Sequence, residues 1–447
     1  MIIILASEVI KINNNHYDVI IVGAGPAGIS AAIKLAQNNI PVLVIERGHY
    51  PGAKNIFGGA IYSKVVEKVI PNFWDDAPIE RAVIDEEIWL MNTTSAVKLG
   101  FSGLNFSHPP YNKLIVNRSK FDKWFAQQAV GAGAKLLTDT VVEDLVYQKQ
   151  GLGKKKVSGV KLDSGTVISA NIVLLAEGSQ AKLTLQAGLR DELTAKDFKL
   201  YIKEELSLAP EKINSRFNLE KDQGAILGMI GYPTSNVVGK GGIWTNQDSL
   251  SLTLGASLKE LNDHSLELTE LMKEFKKHPL LKRLIKDTEL INFKSLTIPH
   301  GGYHKIPKLY DDGVLVAGNA AMLVSGRRGS DLAMLSGIYA AEVISHAQAA
   351  KDYSAKILNN YEQKIMNSFF INDIKNETES NSYYRKNPQI EFILSKTLND
   401  AAYKFFTVDL ISASEKIDKI KKETLNMQPL PKNISDLFNI IKRWSGY

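Results

Sequence analysis

The sequence predicts an α/β chain: one lobe built on a parallel sheet, a second lobe of mostly antiparallel strands, and a helical C-terminal region. Three observations carry this. Val19 to Val22 is a continuous apolar, β-branched run, as a strand buried on both faces requires. From Lys199 to Leu254 strand-like runs recur between turn signals, notably around Gly231-Tyr232-Pro233 and Gly239-Lys240-Gly241-Gly242. Residues 351–447 are lysine-rich and mainly helical in period.

The first strand runs straight into Gly23-Ala24-Gly25-Pro26-Ala27-Gly28, and Ile29 to Gln37 then shows helical spacing. In such a turn the first glycine permits the tight bend and the second admits the backbone to a pyrophosphate. The third lets helix pack closely on strand, which sets the phosphates at the helix N-terminus. A second apolar strand, Val42 to Ile45, ends in Glu46-Arg47, where a carboxylate can bond a ribose hydroxyl. Strand, glycine turn, helix, second strand and terminal acid at this spacing define a dinucleotide site.

The bulk properties narrow the class. A length of 447 residues predicts two or three lobes. The absence of cysteine excludes disulfides, thiolate zinc sites, a thiol nucleophile and a cysteine-ligated iron–sulfur cluster within the sequence. A net charge of +6 is mild for this length and reads as solvated lysines, with no nucleic-acid partner expected. Met1 to Ala6 is too short for a secretory segment, and no window approaches eighteen uninterrupted apolar residues. The expected compartment is the cytoplasm, with peripheral contact at the inner face of the cell membrane as a further expectation.

Along the chain, Gly48 to Tyr62 is glycine-rich, and Gly58-Gly59 permits close approach of backbone to a ligand. Trp74 to Leu99 alternates polar and apolar, as strands of the second lobe would. Val116 to Val130 opens a helix near Asn117 and Ser119, and Arg118 lies just ahead of it, within reach of a phosphate. Gly133 to Val146 predicts two strands, Val157 to Leu162 with Thr166 to Ile168 a hairpin, and Ile172 to Ala176 another buried strand ending in Glu177-Gly178. Leu258 to Ile291 is predicted helical. Val314 to Val316 is a buried strand before Gly318-Asn319, and Ser330 to Ala347 a helix whose Ala333, Ser336, Gly337, Ala340 and Ala341 permit close packing. The His300 and His304 spacing suggests a metal pair, but the two glycines between them argue against both rings facing one ion, and no metal site is assigned.

Three separated pieces therefore share one character, strand then glycine then polar residue: GAGPAG at 23, LLAEGS at 174 and VLVAGNAAMLV at 314. Together with ERGHYPGAKNIFGGAIY, PNFWDDAPIER, VNRSKFDKWFAQQA, IPHGGYHKIPKLYDDGVLVAGNAA and LNDAAYKFFTVD, they make residues 17 to about 410 resemble the electron-transfer flavoprotein:quinone oxidoreductases, most of all the FixC-type members. The resemblance implies a glutathione-reductase-like FAD-binding Rossmann domain with a second antiparallel-sheet domain. It divides the chain into a discontinuous FAD-binding domain (1–78, 114–188 and 300–350), a quinone domain (79–113 and 189–299) and a helical region (351–447).

The resemblance also implies roles. Gly23, Gly25, Pro26, Ala27 and Gly28 would hold the FAD pyrophosphate, with Glu46 and Arg47 at the adenosine ribose, Arg118 supporting the phosphate and the Val142 backbone at the adenine. Gly178 belongs to the second piece. Gly318 and Asn319 would hold the ribityl chain and pyrophosphate, and Gly329 and Ser330 would face the N1/C2 edge of the flavin. Gly58, Gly59 and Gly301 to Tyr303 would border the ring, and Gly241 and Gly242 would contact quinone. Expected partners are electron-transfer flavoprotein subunits and a small ferredoxin-like iron–sulfur protein.

Three departures stand out. Asn319 replaces the family's usual aspartate. Glu177 stands where related hydroxylases have aspartate, with no arginine following at the expected place. The loop from Ala321 to Gly329 is several residues shorter than the pattern. Two alternatives stand beside the main reading: a geranylgeranyl or prenyl reductase that saturates lipid double bonds, and a flavin subunit of an electron-transfer assembly with little activity alone.

Overall fold

A computed structural model describes residues 16–53, 59–151, 153–235, 237–325 and 328–444. The chain begins with β1 (His16–Val22), α1 (Pro26–Gln37) and β2 (Val42–Ile45). Next come β3 (Gly59–Tyr62), α2 (Ser63–Val69), β4 (Ile79–Met91), β5 (Ala96–Ser102) and β6 (Lys113–Val116). Helix α3 (Arg118–Gly131) leads to β7 (Lys135–Leu137), β8 (Val142–Gln150), β9 (Lys154–Leu162) and β10 (Val167–Leu175). After α4 (Lys182–Gln186) follow β11 (Phe198–Ser207), α5 (Pro210–Phe217), β12 (Gln223–Gly231), β13 (Gly239–Thr245) and β14 (Ser249–Ser257). Helices α6 (Leu258–Asp263), α7 (Leu268–Lys277) and α8 (Pro279–Leu284) precede β15 (Glu289–Pro299), β16 (Tyr310–Asp311) and β17 (Val314–Val316). The remainder is helical: α9 (Ser330–Ala350), α10 (Ala355–Met366), α11 (Phe369–Lys386), α12 (Ile390–Phe406), α13 (Ala413–Met427) and α14 (Leu430–Trp444).

Two sheets organise these elements. The first runs β16-β17-β10-β1-β2-β7, with β8 and β9 folded onto β10. β1 pairs in parallel with β10 on one side and β2 on the other, which is why Val19, Ile20 and Ile21 are wholly buried. β17 and β7 extend the parallel core outward. Asn117 caps α3 by accepting from the Ser119 N–H at 3.1 Å, and Phe121 and Phe125 bury the helix against this lobe.

The second sheet runs β15-β11-β14-β13-β12-β4-β6-β3. Its pairings are antiparallel except β12 with β4, which run parallel because the chain crosses between lobes before β12 is laid down. Three features differ from the sequence reading. Val167 to Leu175 is one strand, which starts in the β9 hairpin and ends in the parallel core. The helical stretch stops at Leu284, and Glu289–Pro299 pairs with β11 as an edge strand. Gly59–Tyr62, assigned by sequence to the first lobe, pairs with β6 in the second sheet, and β6 itself spans the assigned boundary at 113/114.

The C-terminal helices bridge the two lobes: Leu358, Tyr361 and Ile365 of α10 and Phe370 of α11 join the core of the first lobe, while the end of α11, α12 and α14 sit on the second sheet. Tyr384, Ile390, Leu394 and Ile440 form a small core with Leu90, Ile230 and Val238. α14 is therefore seated on its own chain through Ile440, while Phe438 and Ile441 remain exposed. Among the described residues no helix is long and apolar enough to cross a membrane.

The first lobe is tightened by α1 crossing α9. The small residues predicted for α9 serve this contact: a Cβ on Gly337 would fall well inside van der Waals distance of the Ala27 carbonyl oxygen. That oxygen is backbone and cannot move aside cheaply. Gly337→Ala should gain about 1 kcal/mol in helix propensity but lose about 1–3 kcal/mol to overpacking. The expected outcome is a lowered midpoint in thermal or urea unfolding; an unchanged or raised midpoint would show that the two helices can separate freely.

Candidate functional site: a dinucleotide cradle opening onto the second sheet

The carboxyl ends of β1, β10 and β17 open into one cavity of about 620 Å³. Gly23 turns with φ +105°, and a side chain there would collide with the Ala176 carbonyl at the end of β10. A Cβ on Gly28 would strike the Gly23 carbonyl. These two glycines are thus demanded by the protein itself. Gly25 is different: its φ of −80° suits any residue, and a Cβ there meets nothing within 4 Å. Gly25 also begins α1, whose first turn has neither a side-chain cap nor an acidic residue. Unclaimed space beside uncapped N–H groups fits a pyrophosphate.

The rest of the cradle follows the same geometry. Glu46 is fixed by two backbone donors, with Oε2 accepting from Ala24 N–H at 2.9 Å and Oε1 from Gly48 N–H at 2.7 Å. Its carboxylate lines the cavity and keeps lone pairs for ribose hydroxyls. Arg47 donates to the Gln180 side chain, and Val142 and Gly178 stand on the same wall. Gly318, at φ +65°, donates its N–H to Ser336 Oγ at 2.9 Å, and Asn319 faces the cavity beside it. Gly329 and Ser330 bring the N-terminus of α9 to the cavity, again without a side-chain cap.

Arg118 is buried rather than free. It holds Asp122 with two bonds of 2.7 and 2.8 Å and donates to Ser330 Oγ at 2.7 Å. It borders the cavity while tying α3 to the first turn of α9. Glu177 also has a structural occupation: its carboxylate accepts from Leu183 N–H, Thr184 N–H and Thr184 Oγ, capping the short α4. In the loop before α9, Ser325 and Arg328 exchange backbone hydrogen bonds. Arg328 then reaches Asp331 at 2.6 Å and Asp373 at 3.5 Å. Burial pushes the Asp331 carboxyl above the usual carboxylate range, and Arg328 opposes that rise.

The second sheet supplies the opposite wall. Gly241 and Gly242 line it, as does Gly59. A Cβ on Gly241 would press on Phe275 at 2.8 Å, whereas one on Gly242 would meet Trp244 at 3.0 Å. Gly58 lies outside the described residues. From the run at 300, His300 borders the cavity, while Gly302 is turned against Thr378 of α11. Sequence reasoning missed Lys113, Lys199, Tyr201, Lys240, Trp244 and Glu377 on this wall. They come from β6, β11, β13 and α11, no more than two from any one element, so no local motif could have marked them.

A dinucleotide cradle on a parallel sheet, open to a second sheet that roofs a substrate space, defines an FAD-dependent oxidoreductase. Residues 17–210 match the family model described as pyridine nucleotide-disulphide oxidoreductase. The chain is 35% identical to Protein FixC of Azotobacter vinelandii over 427 residues, 95% of this chain and 98% of that one. It is 38% identical to Protein FixC of Escherichia coli K12 over 353 residues, 78% of this chain and 81% of that one. The chain belongs to the FixC family. In fold it is similar to a geranylgeranyl bacteriochlorophyll reductase-like protein from Thermoplasma acidophilum, with a TM-score of 0.70 and 20% identity over 95% of this chain and 99% of that one. A flavin-dependent brominase superposes with a TM-score of 0.60 at 18% identity, covering 96% of this chain and 93% of that one. The cofactor is FAD.

Because Gly25 has room and an ordinary backbone, Gly25→Val should fold normally and lose FAD. The expected protein is colourless, with unchanged far-ultraviolet circular dichroism. A variant that keeps its full flavin absorbance would remove the pyrophosphate from this turn.

Proposed function

We propose that this protein takes electrons from an electron-transfer flavoprotein onto its FAD and passes them to a membrane quinone. One observation carries the reading: the relationship to FixC proteins runs through nearly the whole of both chains, so cradle, second sheet and C-terminal helices are all included. FAD supplies the redox chemistry, accepting and releasing electrons. The chain's own part is to fix the cofactor between two helix N-termini, exclude water from it, and admit an acceptor against β13. The apolar surface of Ile226, Leu227, Trp244, Leu296 and Ile298 suits a flat quinone ring. Lysines and glutamates on the same wall argue against a wholly apolar prenyl tunnel.

The same reading includes partners. The chain has no cysteine, so a relay cluster has to come from a separate ferredoxin-like protein. Exposed Phe405 and Phe406 at the end of α12, with Val408 and Leu410 just beyond it, provide apolar surface for peripheral membrane contact.

Two experiments test this. In the first, FAD-loaded protein is reduced anaerobically and mixed with a short-chain quinone. Gly242→Leu, whose side chain would crowd Trp244, should keep its FAD and slow reoxidation; parallel loss of flavin, or no effect, would remove the quinone from β13. In the second, donor flavoprotein, this chain and quinone are combined with and without a cognate ferredoxin. Turnover is expected only with it, and full turnover in its absence would show that the donor reaches this flavin directly.

A further inference from the structure

Three elements bring ionisable groups to one point on the cavity wall. His300 follows directly on β15, its backbone N–H held by the Asp197 carbonyl at 2.6 Å. Its Nε2 lies 2.6 Å from Lys199 Nζ on β11, 2.9 Å from Asn381 Nδ2 on α11 and 3.3 Å from Glu377 Oε1 on α11. Lys199, His300 and Glu377 all border the cavity, and the imidazole and carboxylate side chains are only 17% and 10% exposed. The ring thus meets an ammonium, a carboxylate and a neutral amide.

The chemistry of the arrangement is specific. Lysine ammonium can only donate, so the short Lys199 contact assigns the Nε2 lone pair as acceptor and places the ring proton on Nδ1. Moving a proton from Nζ to Nε2 gives a neutral amine and an imidazolium, and Glu377 stands where it stabilises that cation. The set therefore offers a path for a proton between an ammonium and an imidazole, the side chain most often used as acid or base.

We propose that His300 is the proton donor to the acceptor reduced in this cavity, with Lys199 and Glu377 as its positioning and reloading partners. This rests on the quinone reading above. Converting a quinone to its hydroquinone adds two electrons and two protons as two carbonyl oxygens become hydroxyls. Bound FAD in its reduced form would supply the electrons and one proton. For the other, an imidazolium N–H bond breaks, an O–H bond forms on the acceptor, and the ring is left neutral. Lys199 returns a proton to Nε2 and is itself reprotonated from water. The sum is quinone, reduced flavin and one solvent proton going to hydroquinone and oxidised flavin.

The test compares two acceptors in the FAD-loaded, prereduced protein: a short-chain benzoquinone, which needs protons, and ferricyanide, which takes electrons alone. His300→Gln keeps a polar side chain but cannot titrate near neutrality. It should slow quinone reoxidation by about 100-fold, the low end of general-acid effects, and flatten its pH profile. The ferricyanide rate and FAD content should stay as in the parent. Lys199→Met should slow quinone reoxidation less and shift the pH profile. Independently of turnover, nitrogen-15 NMR of histidine-labelled protein should show His300 as the Nδ1–H tautomer, titrating at lower pH in Glu377→Gln. Equal slowing with both acceptors, an unaffected quinone rate, or a ring fixed in one protonation state would overturn the relay. If the parent reoxidises with ferricyanide but with no quinone, the quinone reading falls and the relay with it. Quinone turnover indifferent to His300→Gln overturns the relay alone.

Discussion

The site depends on the register of three parallel strands. Val22 on β1 pairs with Leu175 on β10, and Leu175 pairs with Val316 on β17. The strands consequently end level, and the next residues of each emerge at one edge: Gly23, then Ala176 to Gly178, then Ala317 to Asn319. The N–H groups of Gly23, Ala176 and Ala317 still bond the last carbonyls of the neighbouring strands, and the backbone beyond them must turn, bond side chains or meet a ligand. Segments separated by about 140 residues along the chain become neighbours through the sheet alone. A slip of one residue in either pairing would withdraw one piece from the cradle.

Helix placement completes the cradle electrostatically. α1 and α9 begin at the same cavity, and neither has a side-chain cap. Two uncapped N-termini add partial positive charge at one point, which an anionic dinucleotide relieves. Arg118 does not add a free charge there, because Asp122 neutralises it in a buried bidentate pair. Its Nη1 also donates to Ser330, so the arginine positions α9 as much as it draws phosphate. The close crossing at Ala27 and Gly337 is what allows the two helix starts to converge.

What could be read from the sequence was whatever is local along the chain. The turn from Gly23 to Gly28, the acid after β2 and the cap before α3 each lie within a few residues, so spacing alone encodes them. The three glycine pieces became one site only through a family pattern, since nothing local states that β10 and β17 flank β1. The proton-bearing wall was illegible for the same reason. Lys199 and His300 are about 100 residues apart and meet because β11 pairs with β15 over ten positions. β15 itself was hidden by polar residues on both faces, as befits an edge strand that is mostly exposed. β10 was read as two strands because its first half is a hairpin arm and its second half a buried core strand.

Beside the loop before α9, one side chain ties several elements together. Arg328 exchanges backbone hydrogen bonds with Ser325, and its guanidinium reaches Asp331 in α9 and Asp373 in α11. Its planar group also lies 4.9 Å from the Phe369 ring and 5.7 Å from the Tyr62 ring. One cation thereby links the first turn of α9, the end of β3 and the start of α11. Asp331 is nearly inaccessible, and its carboxylate is tolerable there because Arg328 stands against it. A paired charge and two aromatic faces thus fix the first turn of α9, whose N-terminus borders the cavity.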